Sequence, residues 1–154
     1  MEITGPRRED VESIDAIIKA LYDVISGPAG DRDWERERFL LAPGARLMPT
    51  RPRPGGDHGL EVFDTEGYIA SRTPYFAAND FYEIEIARRE ERFGNIAHAW
   101  STYEGRRAPD GEILFRGINS IQLFHDGDRW WVLSVLWDNE REEHSLPAEY
   151  LPSY

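Results

Sequence analysis

The sequence predicts an α+β fold in which one curved antiparallel sheet wraps around three N-terminal helices. Three observations carry that expectation. Helical periodicity is confined to the N-terminal half, whereas strand-like alternation dominates the remainder. The stretch Gly117 to Asp138, GINSIQLFHDGDRWWVLSVLWD, reads as two long strands joined by a tight turn and carries three tryptophans. Helices followed by an antiparallel meander is the pattern of an α+β domain.

The elements follow in order. Residues 1–8 read as a flexible arm, 9–140 as a single domain, and 141–154 as a polar, proline-containing tail. From Asp10, the expected N-cap, Val11, Ile14, Ile17, Ile18, Leu21, Tyr22 and Ile25 recur at helical spacing, and Gly27-Pro28 stops the helix. Asp31 or Asp33 caps a second, shorter helix carrying Trp34, Phe39 and Leu41. Ala45 to Met48 is a short strand, and PTRPRPGGDHG from Pro49 to Gly59 is loop by composition. A third helix runs from Thr65 to Arg72, with Pro74 as its breaker. Strands are expected over Phe81–Arg92 and Asn95–Glu104, ahead of the closing hairpin.

Composition narrows the function classes. At 154 residues the chain is long enough to bury a core without staples, and 40% hydrophobic content excludes disorder despite a net charge of −11. That acidity argues against nucleic-acid and anionic-membrane partners. There is no cysteine, hence no disulfide, thiolate nucleophile or thiolate metal site, and all basic residues but Lys19 are arginine. No histidine or carboxylate pair stands at a recognised metal spacing, and no phosphate loop or nucleophile elbow is present, so neither metal nor cofactor is expected. With no apolar leader and no run long enough to span a bilayer, a cytoplasmic protein is expected.

Turn chemistry assigns the strand faces. A two-residue turn at Asp126-Gly127 pairs His125 with Asp128, and Ala108-Pro109-Asp110-Gly111 suits a type I turn that sets Ala99 opposite Ser120. One face then carries Ala97, Ala99, Ser101, Tyr103, Ile118, Ser120, Gln122, Phe124, Trp131, Leu133, Val135 and Trp137. The other carries His98, Trp100, Asn119, Ile121, Trp130, Val132, Leu136 and Asp138. Small residues among aromatics leave volume for a ligand on the first face. Leaving Trp100 and Trp130 exposed on the second would forfeit ~2–3 kcal/mol for each, so a homodimer through that outer face is expected.

The element order, the segments FLLAPGARLMPTRP and FGNIAHAWSTYE, and the closing hairpin together resemble the nuclear transport factor 2-like superfamily. The resemblance implies a cone-shaped, cystatin-like α+β barrel. The superfamily includes ketosteroid isomerases, scytalone dehydratase, SnoaL-type cyclases and the small subunits of ring dioxygenases, so it speaks to fold more than chemistry. Tyr22 stands where ketosteroid isomerases carry the helix-borne oxyanion donor, and Tyr22-Asp23 also resembles the scytalone dehydratase pair. Met48, before Pro49, replaces the isomerase's aspartate base, and Ser120 replaces its protonated aspartate. LMPTRPR resembles the first strand of dioxygenase small subunits, which are structural partners.

Two readings follow. In one, a small, mostly apolar metabolite binds in the cone, lined by Tyr22, Met48, Tyr103, Ser120, Gln122, Leu133, Val135 and Trp137, and undergoes isomerisation, dehydration or cyclisation. In the other, the domain is a non-catalytic dimeric module or subunit. A separate polar cluster, Glu85, His98, Asn119 and Asp138, becomes the site if the faces are reversed, since a histidine–carboxylate pair is a common proton-transfer device.

Overall fold

The computed structural model describes residues 2–153; Met1 and Tyr154, the extremes of the expected arm and tail, lie outside the described residues. The first helix, α1, spans Ile14–Ile25 and is capped by Ser13, whose hydroxyl accepts from the Ala16 amide at 3.0 Å. Asp10, the expected cap, sits instead in a 3-10 turn over Arg8–Val11. Its carboxylate is committed to a buried two-bond pair with Arg36, at 2.7 and 3.0 Å. Helix α2 spans Trp34–Leu40 and is capped by Asp33, which also accepts from the amides of Thr4 and Gly5.

Helix α3 spans Thr65–Ala78 and runs through Pro74, where a break was expected. The ring deprives only the Ala70 carbonyl of its helical donor, and Ala70 is exposed to water. Nearby, the hydroxyls of Ser71 and Thr73 donate back to the carbonyls of Tyr68 and Ile69 at 2.7 and 2.6 Å.

Six strands form one open sheet in the order β2-β1-β6-β5-β4-β3, comprising β1 (Leu41–Pro52), β2 (His58–Leu60), β3 (Tyr82–Phe93), β4 (Ile96–Arg106), β5 (Ile113–His125) and β6 (Trp130–Asn139). The sheet is mixed where an all-antiparallel one was expected. Strand β1 enters from α2 and lies parallel to β6, and every other pair is antiparallel. Much of the expected loop at 49–59 is strand: β1 continues to Pro52, turns, and pairs back with β2. Helix α1 packs against β3 and β6 and α3 against β1, so the helices fill one concave side of the sheet.

Two bulges decide which side chains face inward. Arg106 pairs with Ile113, as the turn dictates, but Gly105 then pairs with Phe115, leaving Leu114 as an extra residue. This slip turns the whole of β5, so that Ala99 opposes Ile121 rather than Ser120. On β6 the hairpin turn is wider than two residues, pairing His125 with Trp130. Asp126 organises it, accepting from the amides of Asp128 and Arg129 and from the Trp131 indole. Leu133 is then bulged out between the Leu123–Val132 and Gln122–Ser134 pairs. Trp130 and Val132 therefore face inward before the bulge, and Val135 and Trp137 after it.

The core joins α1 to Ala97, Ala99, Tyr103, Ile121, Leu123, Trp130, Val132 and Val135. Trp130 is thus an interior residue, not part of the outer face. Trp100 does lie outside, and the C-terminal segment covers part of it: the Tyr150 ring lies 6.0 Å away, and Thr102 donates to the Tyr150 carbonyl at 2.7 Å. No helix among the described residues is long and apolar enough to cross a membrane.

Candidate functional site

Between the helices and the concave sheet lies a cavity of about 430 Å³. Its walls are largely apolar and aromatic, with Leu21, Ile25, Phe76, Phe81, Ile121 and Trp137 prominent. Tyr68 stands edge-on between Trp34 and Trp137, with ring centroids 6.4 and 6.2 Å apart, a geometry aromatic rings favour.

Two carboxyls open into this apolar space. Glu37 sits on α2 and is only 2% exposed. Its Oε2 is buried without a hydrogen-bond partner. Burial pushes its pKa up to about 8 against the opposing pull of Arg36, much of whose charge is engaged by Asp10. Glu83 lines the cavity from β3. It keeps some accessible surface but is enclosed by protein, and burial raises its pKa to about 8, with Arg72 pulling the other way. Its position is set where β3 meets the end of α1: the Glu83 amide donates to Ser26 at 2.9 Å, and Gly27 bridges to Phe81.

A hydrogen-bonded chain crosses the floor. Asn119 donates to the Tyr22 hydroxyl at 2.9 Å, Tyr22 and Ser101 share a bond of 2.7 Å, and Ser101 donates to Glu85. Because the single Ser101 proton goes to Glu85, the Tyr22 proton goes to Ser101. Glu85 is in turn gripped by Arg88 at 2.9 and 2.8 Å. Burial raises the Tyr22 pKa, and Tyr103, raised for the same reason, donates to Asn139.

Of the residues expected to line the cone, Tyr22, Tyr103, Val135 and Trp137 do border the cavity. The other four lie elsewhere. Met48 alternates outward while its neighbour Leu47 faces in, which follows from the two-residue period of β1. The bulge at Leu114 turns Ser120 and Gln122 to the outer face, where Ser120 meets His98 Nε2 at 3.0 Å. Leu133 is 40% exposed because it is itself the bulged residue.

The alternative cluster is divided by the sheet. Glu85 and Asn119 join the Tyr22 chain inside, whereas His98 stands outside beside Trp100. Asp138 pairs with Thr50 and Arg141, both at 2.8 Å, away from the cavity. Among the described residues no group of three or more histidine or acidic side chains could hold a metal ion.

Glu37 and Glu83 were not among the expected lining residues. A signal for Glu37 was present: it lies three residues after Trp34 and three before Leu40, on the apolar stripe of its helix. Glu83 shares a strand face with buried Phe81.

No family model matches the sequence, and no curated protein matches it. Solved structures do match by shape. An NTF2-like protein of unknown function from Pseudomonas putida superposes with a TM-score of 0.62 at 13% identity, over 90% of this chain and 94% of that one. The fold is nuclear transport factor 2-like. A protein of unknown function from Mycobacterium tuberculosis gives a TM-score of 0.65 at 13% identity, over 88% of this chain and 75% of its own. An uncharacterised cystatin-like protein from Caulobacter vibrioides gives 0.60 at 14% identity, over 84% and 89%. At these identities the likeness carries the nuclear transport factor 2-like architecture and no chemistry.

Proposed function

We propose that this domain binds a small, mostly apolar metabolite in the cavity and moves a proton on it, as an isomerase, dehydratase or cyclase does. The observation that carries the reading is a pair of carboxyls, Glu37 and Glu83, raised to about 8 inside an apolar cavity of substrate size. Such groups are poised near neutrality, where general acid–base catalysis is most effective.

The two environments suggest the division of labour. Arg72 pulls directly on Glu83, so the ionised minority of Glu83 present near neutral pH acts as the base. Glu37, whose neighbouring arginine is occupied by Asp10, stays protonated and donates to a substrate carbonyl. In an enolisable ketone, Glu83 takes the proton from the carbon beside the carbonyl, and the released electron pair forms an enolate on the oxygen held by Glu37. Glu83 then returns the proton at another carbon, or hands it to a β-hydroxyl, which leaves as water as the enolate collapses to the unsaturated ketone. The proton of Tyr22 is engaged by Ser101, so Tyr22 braces the floor instead of serving as the principal oxyanion donor.

Solvent deuterium exchange into 2-tetralone, followed by NMR, tests this. Exchange above the buffer rate is expected, falling about a hundredfold in Glu83→Gln. Tetralone that binds without exchange would remove the catalytic step, and failure of any enolisable ketone to bind would remove the reading.

A second reading, self-association through the outer sheet face, draws on Phe124, Leu133 and Leu136, each nearly two-fifths exposed. Light scattering at micromolar concentration would report it as a mass of twice the chain.

A further inference from the structure

We infer that the metabolite is an anion: an apolar body of about ring size bearing a carboxylate, which Arg72 receives at the rim of the cavity. The inference rests on the proposed ligand site and adds the class of ligand that fills it. Arg72 lines the cavity from α3 and, among the described residues, forms no ion pair. That sets it apart from the other arginine of the lining, Arg51, whose charge is met by Glu61 at 2.6 Å.

The guanidinium is also held in place. It lies over the rings of Tyr68 and Trp137, 5.4 and 5.9 Å from their centroids, and both rings are cavity wall. Cation–π contact with two packed aromatics orients it, and with the Tyr68 hydroxyl as its side-chain hydrogen-bond partner, donors of the fork remain for a ligand.

The charge balance of the cavity points the same way. With burial holding Glu37 and Glu83 largely protonated at neutral pH, and Arg51 paired, Arg72 is the uncompensated charge of the lining. A chain of net charge −11 thus presents a cationic rim to an otherwise apolar cavity. A neutral hydrocarbon would leave that guanidinium unpaired as the ligand excluded water from it, whereas a carboxylate forms a charge-assisted pair.

The test compares naphthalene-2-carboxylate with its neutral isostere, naphthalene-2-carboxamide, by tryptophan fluorescence titration at neutral pH. The carboxylate is expected to bind about tenfold more tightly to the wild type, the scale of one charge-assisted hydrogen bond. In Arg72→Met the preference should vanish while the amide keeps its affinity; Arg72→Lys should retain part of it, and added salt should narrow it. Equal binding of both probes to the wild type, or a preference that survives in Arg72→Met, overturns the anionic ligand and leaves the cavity reading standing. If the amide binds Arg72→Met as it binds the wild type, the variant is shown to fold. Failure of both probes to bind the wild type overturns the ligand site and this inference together.

Discussion

Tyr22 shows how a residue can stand where catalysis would be sought and still be spoken for. Its hydroxyl accepts from Asn119 and donates to Ser101, whose own proton passes to Glu85. Removing it in Tyr22→Phe takes the acceptor from half-buried Asn119 Nδ2 and the donor from buried Ser101 Oγ, which keeps only its bond to Glu85. Loss of about 1–3 kcal/mol of stability is expected, read from the denaturant midpoint. Proton exchange on a bound ketone should fall far less than in Glu83→Gln. If Tyr22→Phe instead matched Glu83→Gln in its loss of exchange, Tyr22 would have to be the principal donor to the substrate oxygen. The variant therefore separates a brace from a catalytic group.

Strands β4, β5 and β6 depend on a close approach that only glycine permits. A Cβ on Gly117 would lie 2.3 Å from both the Asp138 carbonyl and the Tyr103 hydroxyl, where β5 pairs with β4 and β6. Gly117→Ala is expected to cost about 1–3 kcal/mol, measured by thermal or denaturant unfolding, and to loosen Tyr103 from Asn139. The same three strands mark how far the sequence can be read. Element order, the helical stripe of α1 and the cone's inward-facing Ala97, Ala99 and Tyr103 are legible, because periodicity follows directly from burial. The turn at Ala108–Gly111 is legible too, since its register holds as far as Arg106 and Ile113. What is not legible is a single extra residue. Leu114 and Leu133 look like ordinary strand residues, yet each reverses every side chain beyond it on its strand. This is why Ser120 and Gln122 were expected inside, and why Val135 and Trp137 face inward although the hairpin register implied by Asp126-Gly127 does not hold.

The two cavity carboxyls also leave a signature on the stability of the entire domain. Each has a folded pKa of about 8, raised from the ordinary glutamate value of about 4.5. Between those values the native state keeps protons that the unfolded chain releases, so stability is greatest below the unfolded pKa and falls as pH rises towards 8. At 1.36 kcal/mol per unit, each carboxyl costs the fold on the order of 5 kcal/mol by pH 8 if nothing rearranges to relieve it. Below about pH 4.5 the trend reverses. Asp138 and Glu140 are held below the usual carboxylate range, Asp138 by bonds from Thr50 and Arg141 that outweigh its burial, and Glu140 by the Leu146 amide and Arg116. Protonating them forfeits those interactions, so the melting temperature should peak near about pH 5, at the acid end of the usual range. Repulsion within a chain of net charge −11 contributes to the alkaline decline, so the wild-type profile alone does not isolate the cavity. Glu37→Gln does: it is isosteric and neutral at every pH, and removes one proton-linked group while changing the surface charge little. Its melting temperature should fall less between pH 5 and 8 than that of the wild type, with the two curves diverging as pH rises. Parallel curves would mean that Glu37 ionises in the folded protein at no cost, and would take with them its role as the proton-bearing partner of Glu83.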